Sequence, residues 1–182
     1  MKVSKYQADC YHVANGYDGA SIFLRYWPRE DGGASGYISV VGSFGSFGHY
    51  FGNTGCDFRE FLCGCDKWYL SHKFFGLESQ VFDCDKTVVA IKRYIIERRR
   101  TGSLEKDQAR EMFEAVKDAS GNNSEESFFM DLSHTMPNFY EWEIYSMGAK
   151  VMNPQAAGFL ETLWPGFVAE LQSELHQAAS AH

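Results

Sequence analysis

Apolar and polar residues alternate with a period of two near the start of the chain, and with a period near 3.6 over most of the remainder. This predicts strands first and helices afterwards. Tyr6 to Ala14 reads as a strand with imperfect alternation, and Asn15-Gly16-Tyr17-Asp18-Gly19 as a turn. Ser21 to Trp27 is a clearer strand, with Ile22, Leu24 and Tyr26 on one face and Phe23, Arg25 and Trp27 on the other. Pro28 ends it, and the polar stretch Arg29 to Gly36 is a loop. Tyr37 to Phe44 and Phe47 to Phe51 continue the pattern, with Gly45-Ser46 as the hairpin turn between them. Consecutive strands of this kind pair, so the expectation is a four-stranded antiparallel meander.

From Asp57 the period changes. Asp57 is a good N-cap with Glu60 three residues on, and Phe58, Phe61, Leu62, Cys65, Tyr69 and His72 share one face of a single long helix. Gly76 to Asp83 reads as a loop. In Lys86 to Arg100, Val88, Ile91 and Ile95 form one apolar stripe and Val89 and Ile96 another. Two stripes predict a helix packed deeply between neighbours, with Lys86, Arg93 and Arg100 on one charged edge. Ser103 is the expected cap of a third helix, Leu104 to Asp118, with Ala109, Met112, Phe113 and Val116 inward. Asn123 and Glu126 open a short fourth one carrying Phe128, Phe129 and Leu132, and Pro137 interrupts the chain beyond it. Phe139 to Met147 is compatible with a strand or a helix. Asn153-Pro154 starts a last helical run, and Pro165 should kink or break it after Trp164. The tail, Gln177 to His182, is expected to fray. The fold class is therefore α+β: residues 1–52 a sheet, residues 53–182 mainly helical, with about five helices packed against the meander. A chain of 182 residues with 45% hydrophobic residues fits one domain over 1–182.

Composition sharpens this in two ways. Aromatics make up 16% of the chain, more than a core of this size needs, so some rings are candidates for a binding surface. The net charge of −7 is unevenly placed: residues 1–100 hold thirteen Lys/Arg against eleven Asp/Glu, and residues 101–182 four against thirteen. An acidic second half argues against general nucleic-acid affinity and fits a basic partner or polyanion mimicry. With no secretory signal and no run of about 18 apolar residues for a membrane span, the five cysteines are expected as free thiols in a reducing cytoplasm.

Local chemistry is sparse. Cys56, Cys63 and Cys65, with His49, His72 or Cys84, raise the question of zinc. The close pair is C-x-C within a helix, whose side chains point about 200° apart, so neither a metal nor another cofactor is expected. Gly42, Gly45 and Gly48 have the spacing GxxGxxG, with no helix directly after, and read as turn and edge glycines. No G-x-S-x-G or comparable nucleophile signature occurs, so an enzyme is the less favoured class. Two binding sets remain. Phe44, Phe47, His49 and Tyr50 surround the hairpin turn, either as rigid aromatic anchors for a protein partner or, for Phe44 and Phe47, as rings that close one end of the core. As the alternative, Lys86, Arg93 and Arg100, with ring stacking on Phe44, Phe47 and Tyr50, would hold single-stranded nucleic acid.

The stretch GSFGSFGHYFGNTGCDFREFLCGCDKWYL resembles a family of uncharacterised small proteins from tailed-phage and prophage genomes. The resemblance continues through FDCDKTVVAIKRYIIERRRTGSLEKDQAREMFEAV and ETLWPGFVAEL, and covers about three-quarters of the chain. These motifs are structural, and the resemblance carries no active site. It implies a phage accessory protein in the host cytoplasm that binds a host protein or nucleoprotein complex. Inhibition of host defence, such as CRISPR–Cas or restriction, is among the roles it implies.

Overall fold

The period-two segments pair in sequence order, as the meander requires. The computed structural model describes residues 1–122, 124–135 and 145–180. In it β1 (Asp9–Asn15), β2 (Asp18–Pro28), β3 (Ala34–Gly42) and β4 (Gly45–Phe51) form one antiparallel sheet in the order β1-β2-β3-β4. The β3–β4 turn is Ser43-Phe44, two residues earlier than the alternation predicts. Gly42 pairs with Gly45, and Gly45, at φ 106°, takes the left-handed backbone that leads out of the turn. This shift leaves the alternation of faces intact, because Ile38 and Val40 stay inward.

The single helix expected after Asp57 is two. Asp57 caps α1 (Phe58–Gly64) by accepting from the amides of Arg59 and Glu60. Gly64, a poor helix former, is followed by Cys65 in extended backbone at ψ 132°. Asp66 then caps α2 (Lys67–Phe75), accepting from the Tyr69 amide at 2.9 Å. The break resets the helical phase. Phe58 and Leu62 are buried as expected, but the second half buries Leu70, Ser71 and Phe74 instead, leaving Tyr69 and His72 exposed.

Two compact units divide the chain: residues Met1–Ser79 with Met152–His182, and Gln80–Val151. In the first, α1, α2, α6 (Pro154–Thr162) and α7 (Trp164–Ser180) cover the inner side of the sheet. Ile22, Leu24 and Ile38 of the sheet share one core with Phe58, Leu62, Phe159, Phe167 and Leu171. Asn153 caps α6 with Pro154 in its first turn, as expected. The break between α6 and α7 falls at Leu163, ahead of Trp164. Pro165 thereby lies in the first turn of α7, where its missing N–H would have no helical partner in any case. The last helix is regular through Ser180.

A short strand pair, β5 (Gln80–Phe82) and β6 (Lys150–Met152, its last residue in the first unit), brackets α3 (Cys84–Arg100), α4 (Lys106–Ala119) and α5 (Glu125–Thr135) of the second unit. Neither strand is foreseen by the pattern. Three residues are too few to show a period, and Gln80–Phe82 lies inside the expected loop. Only one stripe of α3 is buried, Thr87, Val88, Ile91 and Ile95; Val89 and Ile96 are exposed beside the charged edge. Glu105, not Ser103, is the N-cap of α4, in a reciprocal capping box with Gln108. The fold class is α+β, with seven α-helices among the described residues. Asn123, Pro137 and residues 139–144 of the ambiguous segment lie outside the described residues.

Candidate functional site

Among the described residues of the first unit, helices pack against one side of the meander only. Its register shows what the other side carries. Outward positions are Cys10 and His12 on β1, Ser21, Phe23, Arg25 and Trp27 on β2, Tyr37, Ser39 and Val41 on β3, and Ser46, Gly48 and Tyr50 on β4. Phe23, Tyr37, Val41 and Tyr50 are exposed large hydrophobic residues.

Three of the rings on this outer face, Trp27, Tyr37 and Tyr50, form one contiguous surface. Tyr37 and Tyr50 are cross-strand partners with ring centroids 4.7 Å apart. Trp27 lies 5.7 Å from Tyr37 and 6.3 Å from Tyr50, nearly parallel to the latter at 23°. Arg25 sits directly across from Tyr37 in the register. Its guanidinium lies 3.5 Å from the centre of the Tyr6 ring and 4.8 Å from that of Trp27. A cation packed against aromatic rings is held in place without being neutralised. The ring cluster and Arg25 could be anticipated only in part: the alternation of β2 sets Phe23, Arg25 and Trp27 on one face, but the partners Tyr6, Tyr37 and Tyr50 depend on register.

The hairpin set splits across the two faces. Of Phe44, Phe47, His49 and Tyr50, only Tyr50 is on the outer side. Phe47 faces the helices, with its ring 4.7 Å from Phe75, 4.9 Å from Phe159 and 5.3 Å from Phe74. Phe44, in the turn, packs on Gly158 of α6, where an added Cβ would force its ring to shift. His49 is half-buried with its ring 4.7 Å from Phe51; burial, then the nearby Lys73 ammonium, hold its pKa below the ordinary imidazole value. Phe44 and Phe47 thus seal the end of the first core. Replacing both with alanine is expected to cost about 2–3 kcal/mol, read as a melting temperature several degrees below the parent. A double variant that melts with the parent would mean the two rings are not packed this way.

Lys86, Arg93 and Arg100 are exposed along α3 in the second unit, where Lys86 pairs with Asp83 at 3.1 Å. The rings at Phe44, Phe47 and Tyr50 belong to the first unit. Cys56, Cys63 and Cys65 are half-buried, and burial pushes all three thiols up, Cys65 to about 11. At neutral pH they are protonated, a poor state for a nucleophile or a metal ligand. Among the described residues, no group of three or more His, Cys, Asp or Glu is placed to hold a metal ion. No helix among them is long and apolar enough to cross a membrane.

A model described as a phage family, Phage_phiTE_072, matches residues 1–173. No curated protein and no solved structure matches the chain.

Proposed function

Because the chain belongs to the Phage_phiTE_072 phage family, we propose that it is a phage accessory protein that acts in the host cytoplasm by binding a host or nucleoprotein partner on the outer face of its sheet. The observation that carries this reading is the contiguous Trp27–Tyr37–Tyr50 surface with Arg25 at its edge. Trp, Tyr and Arg dominate the energetics of protein interfaces, and a cluster of them at the surface adds little to a core. The same residue types stack on bases, so a nucleoprotein offers this face two kinds of contact. A host-defence complex of the CRISPR–Cas or restriction type is the proposed target class. Complexes of both types work on nucleic acid, so a binder that occupies the nucleic-acid-facing surface of one needs no chemistry of its own.

The test is capture from lysate of infected host cells, with and without nuclease treatment, using the full chain and its Trp27→Ala/Tyr50→Ala variant. The parent is expected to retain a defined partner that the variant loses. Both substituted rings lie outside the core, so the variant should still melt cooperatively. Equal capture by a folded variant would place the partner surface elsewhere and overturn the reading.

A further inference from the structure

The electrostatics of the outer face are unlike those of the chain as a whole. The chain carries 24 Asp and Glu, yet not one occupies an outward position of β1–β4. Asp9 and Asp18, the carboxylates within these strands, fall on the inward parity of β1 and β2. Among the outward positions of β1–β4, Arg25 is the one Lys or Arg, and among the described residues it forms no ion pair. Elsewhere on the first unit, Arg29, Arg59 and Lys67 each reach a carboxylate within 4 Å. A guanidinium packed against two rings, among strand positions that carry no carboxylate, is complementary to an anion that also presents flat apolar groups.

The relief of the face fits such a ligand. In the register, Phe23 of β2 lies across from Ser39 of β3, which lies across from Gly48 of β4. Ser39 and Gly48 make a low floor with a hydroxyl on it. Tyr37 and Tyr50 rise along one side of that floor and Phe23 stands at its β2 end. Bases can lie against Phe23 and the Tyr37–Tyr50 pair while a phosphate reaches Arg25, whose five N–H donors suit phosphate oxygens.

We propose that the outer face of the sheet, through Phe23, Tyr37, Tyr50, Trp27 and Arg25, holds a short single-stranded nucleic acid, with bases stacked on the rings and a phosphate on Arg25. This rests on the reading of that face as the partner surface and names its occupant. A duplex does not fit, because its bases are already stacked and offer no free π-face to the rings. A nucleic acid is favoured over a protein partner because the outward strand positions combine flat rings with a guanidinium and no carboxylate. With one phosphate-binding cation, the affinity comes mainly from stacking, so its dependence on salt is shallow.

The experiment is fluorescence anisotropy of labelled dT12 and U12 with the full chain, against an abasic twelve-residue backbone and a 12-bp duplex. Binding of dT12 and U12 is expected, with at least tenfold weaker binding of the abasic strand and the duplex. Tyr50→Ala and Tyr37→Ala should each weaken dT12 about fivefold or more, and Tyr50→Phe should restore it, since the ring alone stacks. Arg25→Gln should weaken binding and flatten the remaining salt dependence. Failure of dT12 and U12 to bind, or binding unchanged in the alanine and glutamine variants, overturns the proposal. If the oligonucleotides fail while capture from lysate still depends on Trp27 and Tyr50, the partner reading stands with a protein as occupant. If neither depends on the face, both fall.

Discussion

Phe58→Ala is expected to lower stability by about 3–5 kcal/mol, as much as any single side chain in the first unit. Phe58 opens α1 and is fully buried. Its ring stacks on Tyr26 of β2 at 5.5 Å and 10°, and meets Phe51 of β4 edge-on at 6.0 Å. Between these strands it lies on Gly36 of β3, where an added Cβ would come within 2.7 Å of the ring. One side chain therefore ties the first helix to three strands. The loss should fall at the high end of the range for a physical reason: the cost of a large-to-small change grows with the cavity that stays open. The floor of this cavity is a glycine in a paired strand, with no side chain to swing in. Denaturant titration with an unchanged slope and a lower midpoint would record the effect. A loss under about 1 kcal/mol would mean the ring is not seated on Gly36.

Phe128→Ala should have a comparable cost with a different outcome. Phe128 of α5 is fully buried, 5.5 Å from the Phe82 ring and 5.2 Å from Phe129. Its core also holds Val88, Ile91, Ile95, Met112 and Val116. This unit comprises only residues 80–151. A core in a segment of that size rarely supplies more than about 3–5 kcal/mol, and the substitution removes about the same amount. The expected result is loss of cooperative structure across α3, α4 and α5, seen as fast amide hydrogen exchange along all three helices. Slow exchange retained in α4 would show that the aromatic cluster does not support this core.

Local features of this fold were legible in the pattern of residues, and distant ones were not. The meander, its order and its inward residues could be read because period-two alternation is written within each strand. The caps at Asp57 and Asn153 use side chains within three residues of the atoms they satisfy, as does the capping box at Glu105, two residues past the expected Ser103. The break at Cys65 was missed because the apolar wheel through Phe58, Phe61, Leu62 and Cys65 continues smoothly onto Tyr69 and His72. Gly64 and Asp66 were the available signals, one a weak helix former and the other a second capping residue. The outer-face site was half legible. Phe23, Arg25 and Trp27 share a parity within one strand, whereas the meeting of Trp27 with Tyr37 and Tyr50, and of Arg25 with Tyr6, depends on pairings 10 to 23 residues apart in sequence. Phe44 and Phe47 stand beside the turn in sequence; what places them inward is contact with Gly158 and Phe159, more than a hundred residues later.

The core of the first unit is discontinuous, and this has a consequence for how the protein is made. Ile22, Leu24 and Ile38 are covered in part by Phe159, Leu160, Leu163, Phe167 and Leu171. A ribosome must add all of residues 80–151 between the two halves, which takes on the order of several seconds at about 5–20 residues per second. During that interval the second unit, one unbroken stretch, can complete its own core. The nascent sheet meanwhile waits with apolar side chains of its inner face uncovered. The entry and exit of the intervening stretch are pinned when the chain returns: the Asn153 amide donates to the Ser79 carbonyl at 2.9 Å, and its Nδ2 donates to the Glu78 carbonyl at 2.9 Å. Until Asn153 emerges, the inner face of the sheet lacks part of its cover, so the unfinished polypeptide carries an aggregation-prone surface that the finished fold does not.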